Sequence, residues 1–301
     1  MRKVLLGLLL TVAVAGAAAA ADSWTVVNPK SFYPEGPLWH DGKLWYVEYS
    51  GHTVMTWDGK ENRQVWKQDG CGPAALGVYG DGLLVTCYDA NTLVVIGTDG
   101  STKETIAKDA AGNAFLGPND LAEDGKGGLY LSMSGVYDTA APIQGMVYHL
   151  DASGALKPVA DTIHYSNGMG LTDGGKTLLV SEMLAQRVLA FEVKPDGTLG
   201  QRKVFLRLQD IVPDPEGADA YYGPDGLKVG KDGRVYIAQN GGASILIVDP
   251  TGKKLLHQLP VGGKYVTNVA LSPDEKRVFV TATQDAWNAP YPGEVDEVAN
   301  P

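Results

Sequence analysis

Apolar residues along this chain come in short alternating runs separated by Gly- and Asp-rich turns, and the arrangement recurs six times. The segments read EGPLWHDGKLWYVEY from Glu35, CGPAALGVYGDGLLVTCY from Cys71, NDLAEDGKGGLYLSM from Asn119, NGMGLTDGGKTLLVSE from Asn167, DGLKVGKDGRVYIAQ from Asp225 and NVALSPDEKRVFVTA from Asn268. Each is a short apolar strand, a turn and a second strand of alternating large apolar residues, the pattern of a β-hairpin. More β-rich sequence follows most hairpins, such as HTVMTWD and RQVWKQ after the first and ASILIVDPTG and KLLHQLP after the fifth. Four strands per unit, repeating every 40 to 58 residues or so, predict an all-β fold: a six-bladed β-propeller of four-stranded blades. The last hairpin is followed only by GEVDEVA, a third strand, while SWTVV at Ser23 to Val27 has no blade of its own. The N-terminal strand is therefore expected to close blade six and remove the open edges. A β-sandwich would match the strand content but not the six-fold phase.

Composition narrows the picture. With 38 Gly and 17 Pro in 301 residues, long helices are excluded as the main architecture, and 44% hydrophobic residues suffice for a large core. The 35 acidic and 25 basic side chains give a net charge of −10, without the basic footprint that binds phosphate backbones, so nucleic acid is excluded as a partner. Arg2 and Lys3, the apolar run from Val4 and the small residues Ala17 to Ala21 before Asp22 read as a secretory signal peptide over residues 1–21. The alternative, a membrane anchor, lacks length and a basic stop-transfer flank. Removing Arg2 and Lys3 lowers the net charge from −10 to −12. The mature protein, residues 22–301, is expected to be a single propeller, periplasmic or secreted, monomeric, and off the membrane once the leader is cleaved. In an oxidising compartment Cys71 and Cys87 are expected to pair across a small loop, the alternative being two buried thiols.

In a propeller the first strand of each blade lines the central channel, so the residues that begin those strands form a ring at one mouth. Glu35, Asn119, Asn167 and Asp225 occupy this phase, and all four side chains end in oxygen acceptors. Oxygen-only ligation suits a hard cation, and two carboxylates with two amides balance calcium; magnesium keeps its waters and rarely takes an all-protein cage. Each residue alone has a plainer reading as a turn former, since Asn-Gly and Asp-Gly are common turn dipeptides; it is the shared register that makes them a ligand set. Asn268 holds the same phase in blade six, as a further cavity residue or merely a strand start.

The residues of the ring also carry a resemblance. EGPLW at Glu35, GPNDL at Gly117, SNGMGLTDGGKTLLVSE at Ser166 and GPDGLKVGKDGRVYIA at Gly223 resemble the senescence marker protein, gluconolactonase and luciferin-regenerating enzyme family across nearly all of the mature chain. The resemblance implies a six-bladed hydrolase with calcium or another divalent ion in its channel. It implies metal binding at Glu35, Asn167 and Asp225, metal or substrate binding at Asn119, and the catalytic acid or base at Asp225. The family's sugar lactonases carry an arginine where this chain has Gly117, which argues against an aldonolactone substrate. The Gly-Pro-Asn-Asp form looks closer to the diisopropyl fluorophosphatase and lactonase Drp branches.

Other motifs are set aside. Residues 170–177, GLTDGGKT, match a P-loop pattern, but a strand follows where phosphate binding needs a helix N-terminus. The five histidines are scattered, and only His164, three residues before Asn167, is a possible cavity wall. Trp39 and Trp45 belong to hairpin packing. Two segments exceed what a blade needs, Ser134 to Gln144 and Asp210 to Tyr222. They offer Tyr137, Glu216, Tyr221 and Tyr222 as substrate contacts, alongside Asn119 and Asn268. The function expected is calcium-dependent hydrolysis of a lactone or related small ester, with Asp225 as general base or nucleophile. Phosphotriester or fluorophosphate cleavage at the same site, or a non-catalytic ligand-binding propeller with structural calcium, are the alternatives.

Overall fold

Each predicted turn closes a hairpin. Pro34–His40 pairs antiparallel with Lys43–Glu48, and Ser166–Thr172 pairs with Thr177–Glu182 across a single 3-10 turn at Asp173–Gly175. The P-loop look-alike is therefore a hairpin turn followed by a strand. These observations come from a computed structural model that describes residues 24–301. The signal peptide expected over residues 1–21 lies outside the described residues.

The fold is an all-β propeller. Four sheets each contain four antiparallel strands in meander order, running over 34–67, 73–106, 118–163 and 166–207. An eight-stranded sheet holds the rest. Within it two further four-strand meanders, one over 223–260 and one built from Tyr265–Leu271, Arg277–Thr283, Pro292–Ala299 and the N-terminal strand, meet at the single residue pair Asn240 and Tyr265. The N-terminal strand Thr25–Phe32 pairs antiparallel with Pro292–Ala299, Thr25 opposite Glu297 and Phe32 opposite Pro292. It starts at Thr25 and runs past the Val27 end read from the sequence. Pro29 interrupts the alternation, and register shifts on either side of Asn28 absorb it.

Apolar side chains fill the spaces between successive units rather than one central core. Leu84 and Leu93 of one sheet pack with Leu121, Leu129 and Leu131 of the next. Ile245 and Ile247 pack with Val269 and Val280 in the same way. The ring closes where Phe279 and Val295 meet Leu44 and Tyr46. Burying each such side chain contributes about 1.5–3 kcal/mol relative to exposure, so the closing contact stabilises both ends of the chain at once. Trp39 stacks on Phe279 and Trp45 lies in the core between the first two units, as expected of packing residues.

Cys71 and Cys87 form a disulfide between the start of the second unit and the end of its second strand, 16 residues apart. Both are fully buried. In the chain-entropy account a loop of this size contributes about 3 kcal/mol by restricting the unfolded chain.

Candidate functional site

Each innermost strand carries a β-bulge near its start, where two residues oppose one of the partner strand. The bulges lie between Glu35 and Leu38, Pro118 and Leu121, Ser166 and Met169, and Pro224 and Leu227. They contain or adjoin the four residues picked out by phase. A bulge breaks the alternation and re-aims a side chain, and its freed backbone groups need other partners. Hydroxyls on neighbouring strands supply them. The Asp120 amide donates to Ser132 Oγ at 2.9 Å, Thr86 Oγ1 donates to the Asn119 carbonyl, and Thr267 Oγ1 donates to the Pro34 carbonyl at 2.7 Å. Asp225-Gly226 is accordingly not a turn but part of a strand, with Gly required because a Cβ at 226 would fall 2.1 Å from Asn268 Cγ.

Glu35, Asn119, Asn167 and Asp225 all line one cavity of about 190 Å³. Their exposures are 8%, 7%, 4% and 4%, so two carboxylates have been taken out of bulk water together. Asp225 Oδ2 accepts a hydrogen bond from Asn240 Nδ2 at 2.8 Å, while Oδ1 is buried with no hydrogen-bond partner. Asn167 Nδ2 donates to Met183 Sδ, leaving its amide oxygen for the cavity. Glu35 Oε2 accepts from the Gly36 amide at 3.0 Å and from Asn268 Nδ2 at 3.4 Å.

Burial pushes the Asp225 carboxyl up to about 8, against the hydrogen bond from Asn240 and with the charge of Asp120 adding to the rise. Burial likewise raises the Glu35 carboxyl well above the ordinary range, and the charges of Asp225 and Asp120 raise it further. An uncompensated pair of buried carboxylates is costly, and paired charges or a metal are the usual remedy. Among the described residues no group of three or more His, Cys, Asp or Glu is arranged to hold a metal. The donor set on offer is instead two carboxylates completed by amide oxygens, a combination that suits a hard, oxygen-seeking divalent ion. The orphaned Asp225 Oδ1 is the feature such an ion would satisfy.

The profile described as the SMP-30/Gluconolactonase/LRE-like region matches residues 33–284. The chain belongs to that family. Lactonase drp35 of Staphylococcus saprophyticus is 24% identical over 250 residues, which is 78% of this chain and 72% of that protein. A gluconolactonase from Xanthomonas campestris is 21% identical and superimposes with a TM-score of 0.76 over 95% of this chain and 94% of its own. Regucalcin of Agrobacterium tumefaciens, described as a calcium-binding protein, is 17% identical with a TM-score of 0.72 over 93% of this chain and 96% of its own. At these identities the structural likeness establishes the propeller fold.

The remaining sequence-derived residues of this family member fall in different places. Tyr137 lines the cavity. Asn268 does not: it is 2% exposed and bridges Glu35 to Asp120 Oδ2, at 3.4 and 3.3 Å. Glu216 is exposed on its loop and does not line the cavity. Tyr222 turns into the core, where its hydroxyl accepts from Gln239 Nε2 at 2.8 Å. Its neighbour Tyr221 instead packs on Tyr137, with ring centroids 4.8 Å apart. His164 does not line the cavity; its backbone amide donates to Glu182 Oε1.

Three features escaped the sequence reading. Asp120 is 2% exposed beneath the ring, and its signal is a carboxylate placed directly after Asn119 in an otherwise apolar strand. Asn240 holds Asp225 from the end of the neighbouring strand. Five tyrosines besides Tyr137, and Trp287, line the cavity. Of these, Tyr33, Tyr165 and Tyr291 have φ of 52°, 64° and 55°. Left-handed backbone is strained for such residues and gathers at functional sites.

Proposed function

We propose that this protein is a calcium-dependent hydrolase of a lactone or related small ester, acting in the channel of a six-bladed propeller. The blade count takes the eight-stranded sheet as two blades joined by one residue pair. The observation that carries the proposal is Asp225 Oδ1, buried and unpartnered beside Glu35 in a cavity that Asn119 and Asn167 also line. Membership of a family containing lactonases, and the likeness to a calcium-binding regucalcin, support it.

Glu35, Asn119, Asn167 and Asp225 would hold the cation. When bound, calcium supplies Lewis-acid polarisation of the ester carbonyl and stabilises the negative charge that develops on its oxygen. Asp225 is the residue for proton transfer. With Oδ2 fixed by Asn240, Oδ1 would use the lone pair it does not give to the cation to take the proton of the attacking water as the new C–O bond forms, then return it to the alkoxide as the ring C–O bond breaks. In the variant route Oδ1 itself attacks the carbonyl, the ring C–O bond breaks and the departing alkoxide takes a proton from water, and the hydroxide so formed cleaves the anhydride to free the Asp225 carboxylate and the product acid. Asp120 and Asn268 position Glu35 from below and touch no substrate in either route.

The disulfide supports residence in the periplasm or outside the cell, since such bonds persist in oxidising compartments. The acidic charge supports a small-molecule partner rather than nucleic acid.

The test is a panel of lactones assayed with calcium, with a chelator, and after calcium add-back. The expected result is turnover that chelation removes and calcium restores. Turnover of phosphotriesters alone would move the site to fluorophosphatase-type chemistry. Calcium binding with no turnover of any lactone, ester or phosphotriester would make it a binding module.

A further inference from the structure

The cavity wall has a chemistry of its own. Segments from three separate units build it: Tyr137 from 134–144 and Trp287 from the loop between Thr283 and Pro292 line the cavity, and Tyr221 from 210–222 packs on both rings. The Tyr137 ring lies 4.7 Å from Tyr165, 4.8 Å from Tyr221 and 6.2 Å from Trp287, the last pair nearly parallel at 15°. Trp287 is 47% exposed, yet it is held firmly: its indole N–H donates to the Tyr265 hydroxyl at 3.1 Å, and Asp285 Oδ1 accepts from its backbone amide at 2.8 Å. A large aromatic side chain kept in water by its own hydrogen bonds presents a face for something else to cover.

Among the described residues no Lys, Arg or His lines the cavity. Position 117 cannot contribute one without rearrangement, because Gly117 has φ of 62° and a Cβ there would meet the Tyr88 ring at 2.8 Å and the Gly135 carbonyl at 2.9 Å. Of the tyrosine hydroxyls, those of Tyr49 and Tyr88 are already committed to Asp89 and the Gly135 carbonyl. A carboxylate or phosphate on the substrate would find no counter-charge among the protein side chains that line the cavity. At about 190 Å³ the cavity is also small for a ligand site.

We infer that the substrate is a small, uncharged lactone or ester whose substituent is a flat aromatic or unsaturated ring, seated against the wall formed by Tyr137 and Trp287, which Tyr221 backs. This rests on the lactone-hydrolase reading and narrows it. Tyr137 and Trp287 are then specificity residues, and each ring stacked on the substrate adds roughly tenfold in preference.

The test compares kcat/KM for γ-phenyl-γ-butyrolactone, unsubstituted γ-butyrolactone and γ-carboxy-γ-butyrolactone in the calcium-loaded protein. The phenyl compound should be preferred over the unsubstituted one by roughly a hundredfold, tenfold from each of the two rings, with the carboxylate compound poorest. In Trp287→Ala and in Tyr137→Ala the ratio of phenyl to unsubstituted should fall about tenfold. In parallel, the phenyl compound should quench tryptophan fluorescence saturably, and Trp287→Phe should remove that signal. An unchanged ratio in both variants, or preference for the carboxylate compound, overturns the inference while leaving lactone hydrolysis standing. Saturable quenching at Trp287 without hydrolysis of any lactone upholds the aromatic preference and counts against the hydrolase reading instead.

Discussion

Asp225→Asn should lower lactone turnover by at least about a thousandfold while the propeller stays folded. General-base transfer alone is worth about 10²–10⁴ in rate, and the substitution also removes one of the two carboxylates proposed to hold the cation. Folding is expected to survive because burial already favours the uncharged form at this position: the carboxyl is pushed up to about 8, and an asparagine is the same shape without the charge. Asn240 still faces a side-chain oxygen or amide there. The check is paired: initial rates under saturating calcium, and thermal unfolding of the calcium-free proteins at pH 9, where the variant should melt no lower than the parent. Activity within tenfold of the parent would remove Asp225 from its assigned role.

Calcium removal should cost stability, and the cost should grow with pH. In the calcium-free protein the folded-state pKa of Asp225 is about 8 against an ordinary 3.8, and Glu35 and Asp120 are raised as well. Folding therefore takes up protons at these groups. The stability they confer is fully present below their unfolded values, near pH 4, and is lost as pH rises through the folded values. The calcium-free melting temperature should fall between pH 6 and pH 9. Asp296, whose carboxyl burial and Glu294 push up to about 7, contributes the same sign in the lower part of that window. It lies outside the proposed ligand set, so its part should persist when calcium is added. At a hundredfold excess over Kd, calcium adds about 2.7 kcal/mol, or on the order of 5 °C for a domain of this size. Scanning calorimetry at pH 6 and pH 9, with chelator and with calcium, reads both effects. A calcium-free protein that melts higher at pH 9 than at pH 6 would contradict the burial of these carboxylates.

The parts of this molecule that could be read from its residues are those set locally. Alternation and Gly-Asp turns depend on neighbours a few positions apart, so the hairpins and their shared phase were visible, and with them the convergence of Glu35, Asn119, Asn167 and Asp225 on one cavity. What stayed hidden depends on distant chain segments or on broken alternation. The bulge at Pro118–Leu121 carries two residues where alternation allows one, and so buries Asp120 as well as bringing Asn119 to the cavity. Asn268 shares the ring's phase, yet Gly226 lets it approach so closely that it ends beneath Glu35 rather than in the cavity. Tyr221 and Tyr222 are adjacent, and only the position of Gln239 decides that Tyr222 turns inward. Trp287 meets Tyr137 across 150 residues, from a loop with no distinguishing local signal.

The most direct measurement is calorimetric titration of calcium into the chelator-treated protein, repeated with Glu35→Gln and Asp225→Asn. One saturable site per chain in the parent, weakened at least a hundredfold in either variant, is the predicted result. Absence of binding in the parent, or affinity unchanged in both variants, would contradict the cation centre on which the proposed chemistry is built.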